Sequence, residues 1–175
     1  NVNPHTGVRF RGGKRNFYEG GLRVPAIAYW PGRIEGGRVS DHLGYFPDLL
    51  PTFAEVAGAQ PPEGLDGISF LPTLLGKGEQ PQHEYLYWED NAFKAVRMEN
   101  WKAIRLYRRD KPWELYDLSQ DIGETDDVAE QFPTILAKLI GLAEQAHTPV
   151  VEGEIYDREL IEKDRKYFEK KGKGK

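Results

Sequence analysis

The chain has 175 residues, 39% of them hydrophobic and 30% charged, with a formal net charge of −4 and no cysteine. This is the profile of a folded globular chain of one-domain length. It argues against a polyanion binder, which would carry a basic patch, and it excludes disulfides and thiolate metal sites.

No apolar stretch reaches the roughly 20 residues that span a bilayer, so neither nucleic acid nor membrane is an expected partner. The first residue is Asn1, in polar sequence containing glycine and proline, and we expect that it is not the natural start.

Residues 1–23 are rich in glycine and arginine, lack a helical period and read as a loop. Val24 to Trp30 is a short apolar run with β-branched and aromatic members, closed by Pro31-Gly32. It predicts a strand buried on both faces. Residues 33–42 predict a polar, hairpin-like loop. Phe46, Leu49, Leu50, Phe53, Val56 and Ala57 recur at helical spacing, and Gly58 stands where a left-handed C-terminal cap belongs. Leu71 to Leu75 predicts a second short helix ended by Gly76.

From Glu84 the texture changes. Tyr85–Glu89, Lys94–Glu99, Trp101–Tyr107 and Trp113–Leu118 are short, rich in aromatic and branched residues, and separated or followed by turn residues. They predict an antiparallel meander with one buried face. Phe132 to His147 carries Ile135, Leu136, Leu139, Ile140 and Ala143 at helical spacing and predicts a helix that covers the sheet. Asp126-Asp127 is expected to lead into it as capping residues. Residues 156–171 alternate in charge and predict an exposed helix.

The chain therefore divides into 1–80, the end of a larger α/β domain, 81–150, an antiparallel sheet packed with a helix, and 151–175, a charged helical tail. The first part lacks the neighbouring strands that the polar backbone of Ala26–Trp30 needs.

The chemistry-bearing residues are few. Lys14 sits among glycines in GGKRNFYEGG, yet Val8 and Arg15 stand where a P-loop needs glycine and Ser/Thr. From residue types alone, Lys14 is either a solvated lysine on a glycine-rich turn or a point charge beside a small anion. Glu19 and Arg23, four apart, predict a structural ion pair that pins this loop. The four histidines lack ligand spacing, so no metal site is expected from this chain alone.

Taken in order, the motifs meet a family. GGKRNFYEGGLRVPAIAYWPG resembles a stretch of the sulfatases. So do Asp48-Leu49-Leu50-Pro51-Thr52, Leu65-Asp66-Gly67-Ile68-Ser69-Phe70-Leu71-Pro72, Arg97 with Trp101-Lys102, and Glu114-Leu115-Tyr116-Asp117-Leu118 with Asp121 and Glu124. Ile122 and Asp127 depart from the family's usual proline and asparagine.

The resemblance implies an alkaline-phosphatase-like α/β fold with a small antiparallel C-terminal subdomain. It implies hydrolysis of a sulfate ester, aryl or on a glycan, with formylglycine and calcium in the full-length enzyme. It assigns Lys14 as a catalytic, sulfate-contacting residue. His5 is a second candidate for the substrate cleft, although no motif supports it.

On this reading the chain is the C-terminal part of a sulfatase. It is inactive alone, because nucleophile and metal ligands lie upstream. Its partners are the remainder of the sulfatase chain and, as a further option, a second copy of itself. A periplasmic or secreted location follows from the same resemblance. Two other readings are a related phosphoester hydrolase and a non-catalytic carbohydrate-binding or oligomerisation module, in which Trp88, Trp101, Trp113 and Tyr116 would stack on sugar rings.

Overall fold

Four short runs of β-formers joined by tight turns make a sheet in strand order β1-β2-β3-β4, each antiparallel to the next. The strands are β1 (Leu86–Glu89), β2 (Phe93–Met98), β3 (Trp101–Leu106) and β4 (Glu114–Asp117). Pairings such as Ala95↔Ile104 and Ala103↔Leu115 set the register. The computed structural model describes residues 2, 7, 9–90, 93–106, 111–149 and 162. The chain divides into two compact units, Asn1–Ala143 and Glu144–Lys175.

The meander matches the expected segments, but its burial does not. Because successive strand residues point to opposite faces, Ala95, Ile104 and Tyr116 line one face, and Val96, Ala103 and Leu115 line the other. All six are 0–1% exposed. One buried face was expected and two are found. The first packs on Tyr18 and Phe17 from the N-terminal segment. The second packs on Leu139 and Ala143 of the helix Pro133–Ala146. Removing a fully buried leucine such as Leu139 costs about 2–5 kcal/mol in comparable cores.

Before the sheet come α1 (Glu19–Leu22), a 3-10 turn (Phe46–Asp48), α2 (Leu49–Ala57) and α3 (Leu71–Leu75); the long C-terminal helix is α4. Gly58 and Gly76 end α2 and α3 in the left-handed conformation, φ 67° and 65°. The guanidinium of Arg38 donates to the carbonyls of Thr73 and Leu74 at 3.0 and 3.1 Å, satisfying the orphan end of α3. Asp48 is fully buried. It accepts from the amides of Tyr45 and Ile68 and meets His83 Nε2 at 2.8 Å. These bonds cross the expected boundary near residue 80.

Four expectations are corrected. Residues 1–23 are not all loop: they contain α1 and an isolated bridge, Val2↔Arg9. Val24–Trp30 is not a buried strand. It runs without sheet partners, and Val24, Ile27 and Tyr29 are 69, 96 and 87% exposed. Its apolar pattern requires neighbours that the described residues do not supply. Residues 33–42 form a turn and open coil rather than a hairpin. Asp126-Asp127 does not cap α4, which begins six residues later; Asp127 Oδ1 instead accepts from the amides of Leu115 and Ala129.

The apolar stripe of α2 has the expected spacing but faces outward, with Phe46 and Phe53 80 and 62% exposed. His5 and the predicted helix 156–171, apart from Glu162, lie outside the described residues.

Candidate anion-facing turn

The glycine pairs of GGKRNFYEGG allow backbone to pack on backbone. A Cβ at Gly21 would lie 2.0 Å from the carbonyl oxygen of Asn16, and one at Gly20 would lie 2.5 Å from that of Arg11. Helix α1 therefore rests directly on residues 11–16, with the Gly20 amide donating to Arg11 at 2.9 Å. The Asn16 amide closes a four-residue turn on the Gly13 carbonyl at 3.2 Å, and the Asn16 side chain accepts from the Gly13 amide at 3.3 Å. Lys14 and Arg15 occupy its centre. Arg15 has φ 76°, a left-handed conformation that a β-turn accepts most easily from glycine.

This geometry makes Gly21→Ala costly, about 1–3 kcal/mol as overpacking. Gly13→Ala should be far milder, since a Cβ there meets nothing within 4 Å. Urea midpoints of the two variants check this; equal midpoints would remove the close-packing explanation.

Two clamps hold the ends of the turn. At one end, Arg11 Nη1 donates to Tyr116 Oη at 2.6 Å and to the Glu124 carbonyl at 3.0 Å. Its guanidinium lies 4.0 Å from the Tyr18 ring centroid. Tyr18 and Tyr116 both donate to Glu114 Oε2, at 2.6 and 2.7 Å. Burial first, and the Glu114 carboxylate second, push both phenols above their ordinary value, so they remain donors.

At the other end, the fully buried Lys102 Nζ lies 2.7 Å from Glu19 Oε1 and 2.9 Å from Glu124 Oε1. Glu124 Oε2 accepts from the Glu19 amide at 2.6 Å. Glu124 Oε1 has no well-aligned hydrogen bond, so its contact with Lys102 is ionic. The Glu19–Arg23 pair is present at 3.6 Å, with Arg97 on the same carboxylate at 4.0 Å. Lys102 is nevertheless the closer partner of Glu19. Sequence reasoning quoted Lys102 and Glu124 only as landmarks of the resemblance. The available signal was a lysine at a central strand position, in register with the inward-facing Tyr116.

Burial lifts the Glu124 carboxyl above its ordinary 4.5, while Lys102 and the Glu19 amide pull it down without cancelling the rise. A carboxyl raised in the folded state binds a proton that the unfolded chain releases. Its contribution to stability is complete below pH 4.5 and is lost as pH rises through the folded value. Glu124→Gln cannot titrate, so its stability should gain on that of the wild type as pH climbs above 4.5. Thermal midpoints across this range test the sign; a constant difference would contradict it.

Lys14 itself is exposed and makes no ion pair or hydrogen bond among the described residues. The structure thus brings Lys14, Glu19 and Arg23 into one pinned segment. Elsewhere, His42 sits near the Asp48–His83 pair, and burial lowers its pKa. Among the described residues, no group of three or more His, Cys, Asp or Glu is placed to hold a metal ion. The chain has no cysteine and no serine in an S-x-P-x-R sequence. These residues do not fit a calcium site or a formylglycine. No helix among them is long and apolar enough to cross a membrane.

Comparison with known proteins points to the same family. Residues 10–145 match the family described as N-sulphoglucosamine sulphohydrolase, C-terminal. The chain is 40% identical to mouse N-acetylgalactosamine-6-sulfatase over 111 residues, 62% of this chain and 21% of that protein. It is 44% identical to bovine arylsulfatase A over 99 residues, 53% of this chain and 19% of that protein.

A solved structure from Bacteroides thetaiotaomicron, described with the metabolism of multiple glycosaminoglycans, superposes with TM-score 0.65 at 30% identity. It covers 78% of this chain and 31% of the other. Ps i-CgsB in complex with k-i-k-neocarrahexaose gives 0.64 at 30% identity, over 77% and 31%. The chain spans about a fifth of the length of these curated relatives. With the family match running from residue 10 to residue 145, well over half of its length, the chain belongs to the sulfatase family and corresponds to its C-terminal part.

Proposed function

We propose that this chain forms the C-terminal region of an enzyme that hydrolyses sulfate esters, and that Lys14 contacts the sulfate. The observation that carries the reading is the turn: an exposed ammonium, without a partner among the described residues, on a segment whose Arg11 and Glu19 ends are tied to Tyr116 of β4 and Lys102 of β3. A fixed cation offsets charge on an oxyanion with little reorganisation, and it does so best where water is excluded. Glu19 and Arg23 support the turn and do not touch the ester.

The family resemblance implies a formylglycine and a divalent cation in the reaction. Calcium and the formylglycine would be supplied by the remainder of the sulfatase chain. That remainder is also the partner we assign to the exposed Val24–Trp30 segment and to the outward stripe of α2. An unpaired extended segment and an apolar helix face both call for cover. The substrate class is a sulfate ester on an aryl group or a glycan. A secreted or periplasmic location belongs to the same reading.

Turnover of an aryl sulfate tests the proposal. The complete protein should hydrolyse it faster than the matching aryl phosphate, and residues 1–175 alone should show no turnover. Comparable activity from these residues alone would overturn the shared-site account, and a preference for phosphate would favour a phosphoester hydrolase. No observation favours a sugar-stacking module: Trp88 and Tyr116 pack with one core cluster, and Trp101 and Trp113 with the other.

A further inference from the structure

Glu124 touches both ends of the segment that carries Lys14. Its carbonyl oxygen accepts from Arg11 at 3.0 Å, and its carboxylate accepts from the Glu19 amide at 2.6 Å. Arg11 and Glu19 flank residues 12–18, so one residue more than a hundred positions away bridges the base of the turn. Glu124 is 0% exposed, and its backbone is left-handed, φ 54°. A non-glycine residue holds that conformation when its surroundings over-determine it, and such residues concentrate near functional sites. Here the surroundings are Lys102 at 2.9 Å, the Glu19 amide and the Arg11 guanidinium.

Lys14 can face an anion at fixed distance only if its turn does not swing about its ends. Within the turn, the closing bond from Asn16 to Gly13 is long, 3.2 Å, and its centre is solvent-exposed. Rigidity enters through the packing of α1 on residues 11–16 and through the flanking residues 11 and 19, and both flanks meet Glu124.

We infer that Glu124 is a positioning residue for the sulfate site, holding the Lys14 turn without touching the ester. The inference rests on the sulfate-contact reading of Lys14. A displacement of about 1 Å in a group that stabilises charge costs on the order of 100-fold in rate, and loss of a supporting partner typically costs about 10–100-fold.

A double-mutant cycle in the complete sulfatase tests this, with kcat and KM for an aryl sulfate measured separately and folding checked by circular dichroism. Glu124→Ala should lower kcat about 10–100-fold. Glu124→Gln should recover most of that loss, because its amide oxygen can still accept from the Glu19 amide. In a Lys14→Ala background, Glu124→Ala should add less than about threefold, because coupled residues are non-additive.

If Lys14→Ala lowers turnover and the two effects multiply in full, the positioning role is overturned and the sulfate contact stands. If Lys14→Ala leaves turnover unchanged, the contact itself fails and the positioning role with it. Should Glu124→Ala not fold, Glu124→Asp, with its carboxylate withdrawn by one methylene, takes its place in the cycle with the same two outcomes.

Discussion

Lys102→Met should unfold at a temperature roughly 6–20 °C below the wild type, from a loss of about 3–5 kcal/mol at some 2–4 °C per kcal/mol. The ammonium is fully buried and sits between two carboxylates at 2.7 and 2.9 Å. Methionine fills a similar volume, so packing is largely kept, but Glu19 and Glu124 then face each other inside the protein without their shared counter-ion. The penalty is that of uncompensated buried charge, which exceeds the modest worth of an intact buried pair.

Two corollaries separate this cause from a packing defect. The loss should shrink as pH falls, because the stranded Glu124 carboxyl, already lifted by burial, can take up a proton. It should also shrink in the triple variant Glu19→Gln/Lys102→Met/Glu124→Gln, where no charge of the triad remains. A Lys102→Met midpoint within about 2 °C of the wild type would show that the triad does not hold the sheet to α1.

Lys14→Ala in the complete sulfatase should lower kcat about 100–1000-fold, the range seen when one donor to a developing oxyanion is removed. Folding should be intact, because Lys14 is exposed and makes no hydrogen bond or ion pair among the described residues. Lys14→Arg should recover only part of the rate. A guanidinium keeps the charge but replaces a compact ammonium by a planar fork of different reach. A rise in KM with kcat unchanged would instead mean that the lysine binds ground state and transition state equally. Equal rates for wild type and Lys14→Ala would take Lys14 out of the site.

Local signals carried much of the architecture. The spacing of Ile135, Leu136, Leu139 and Ala143 marked α4, and Gly58 and Gly76 marked two helix ends, because these features depend on residues within a turn of each other. The strand segments were legible for the same reason, aided by Glu99-Asn100, where Glu99 takes φ 53°.

What could not be read locally was burial. Val24–Trp30 and the stripe of α2 have core composition, yet composition does not say whether a neighbour is present in the same chain. The Glu19–Lys102 contact joins residues 83 apart, and Glu19–Glu124 joins residues 105 apart. A period within one element cannot reveal such pairs. The glycine-rich loop was legible as something unusual. Its reason is close contact between α1 and residues 11–16, which depends on the folded backbone and leaves no trace in local spacing. Lys14 was reached through resemblance rather than spacing, since an exposed lysine on a glycine-rich turn carries no local pattern that separates a binding role from a solvated one.

The most direct measurement is a crystal structure of the complete sulfatase soaked with inorganic sulfate. The account predicts the Lys14 ammonium about 2.7–2.9 Å from a sulfate oxygen, with Glu124 still bonded to Arg11 and the Glu19 amide. A bound sulfate outside hydrogen-bond reach of Lys14, with that side chain directed to solvent, would contradict it.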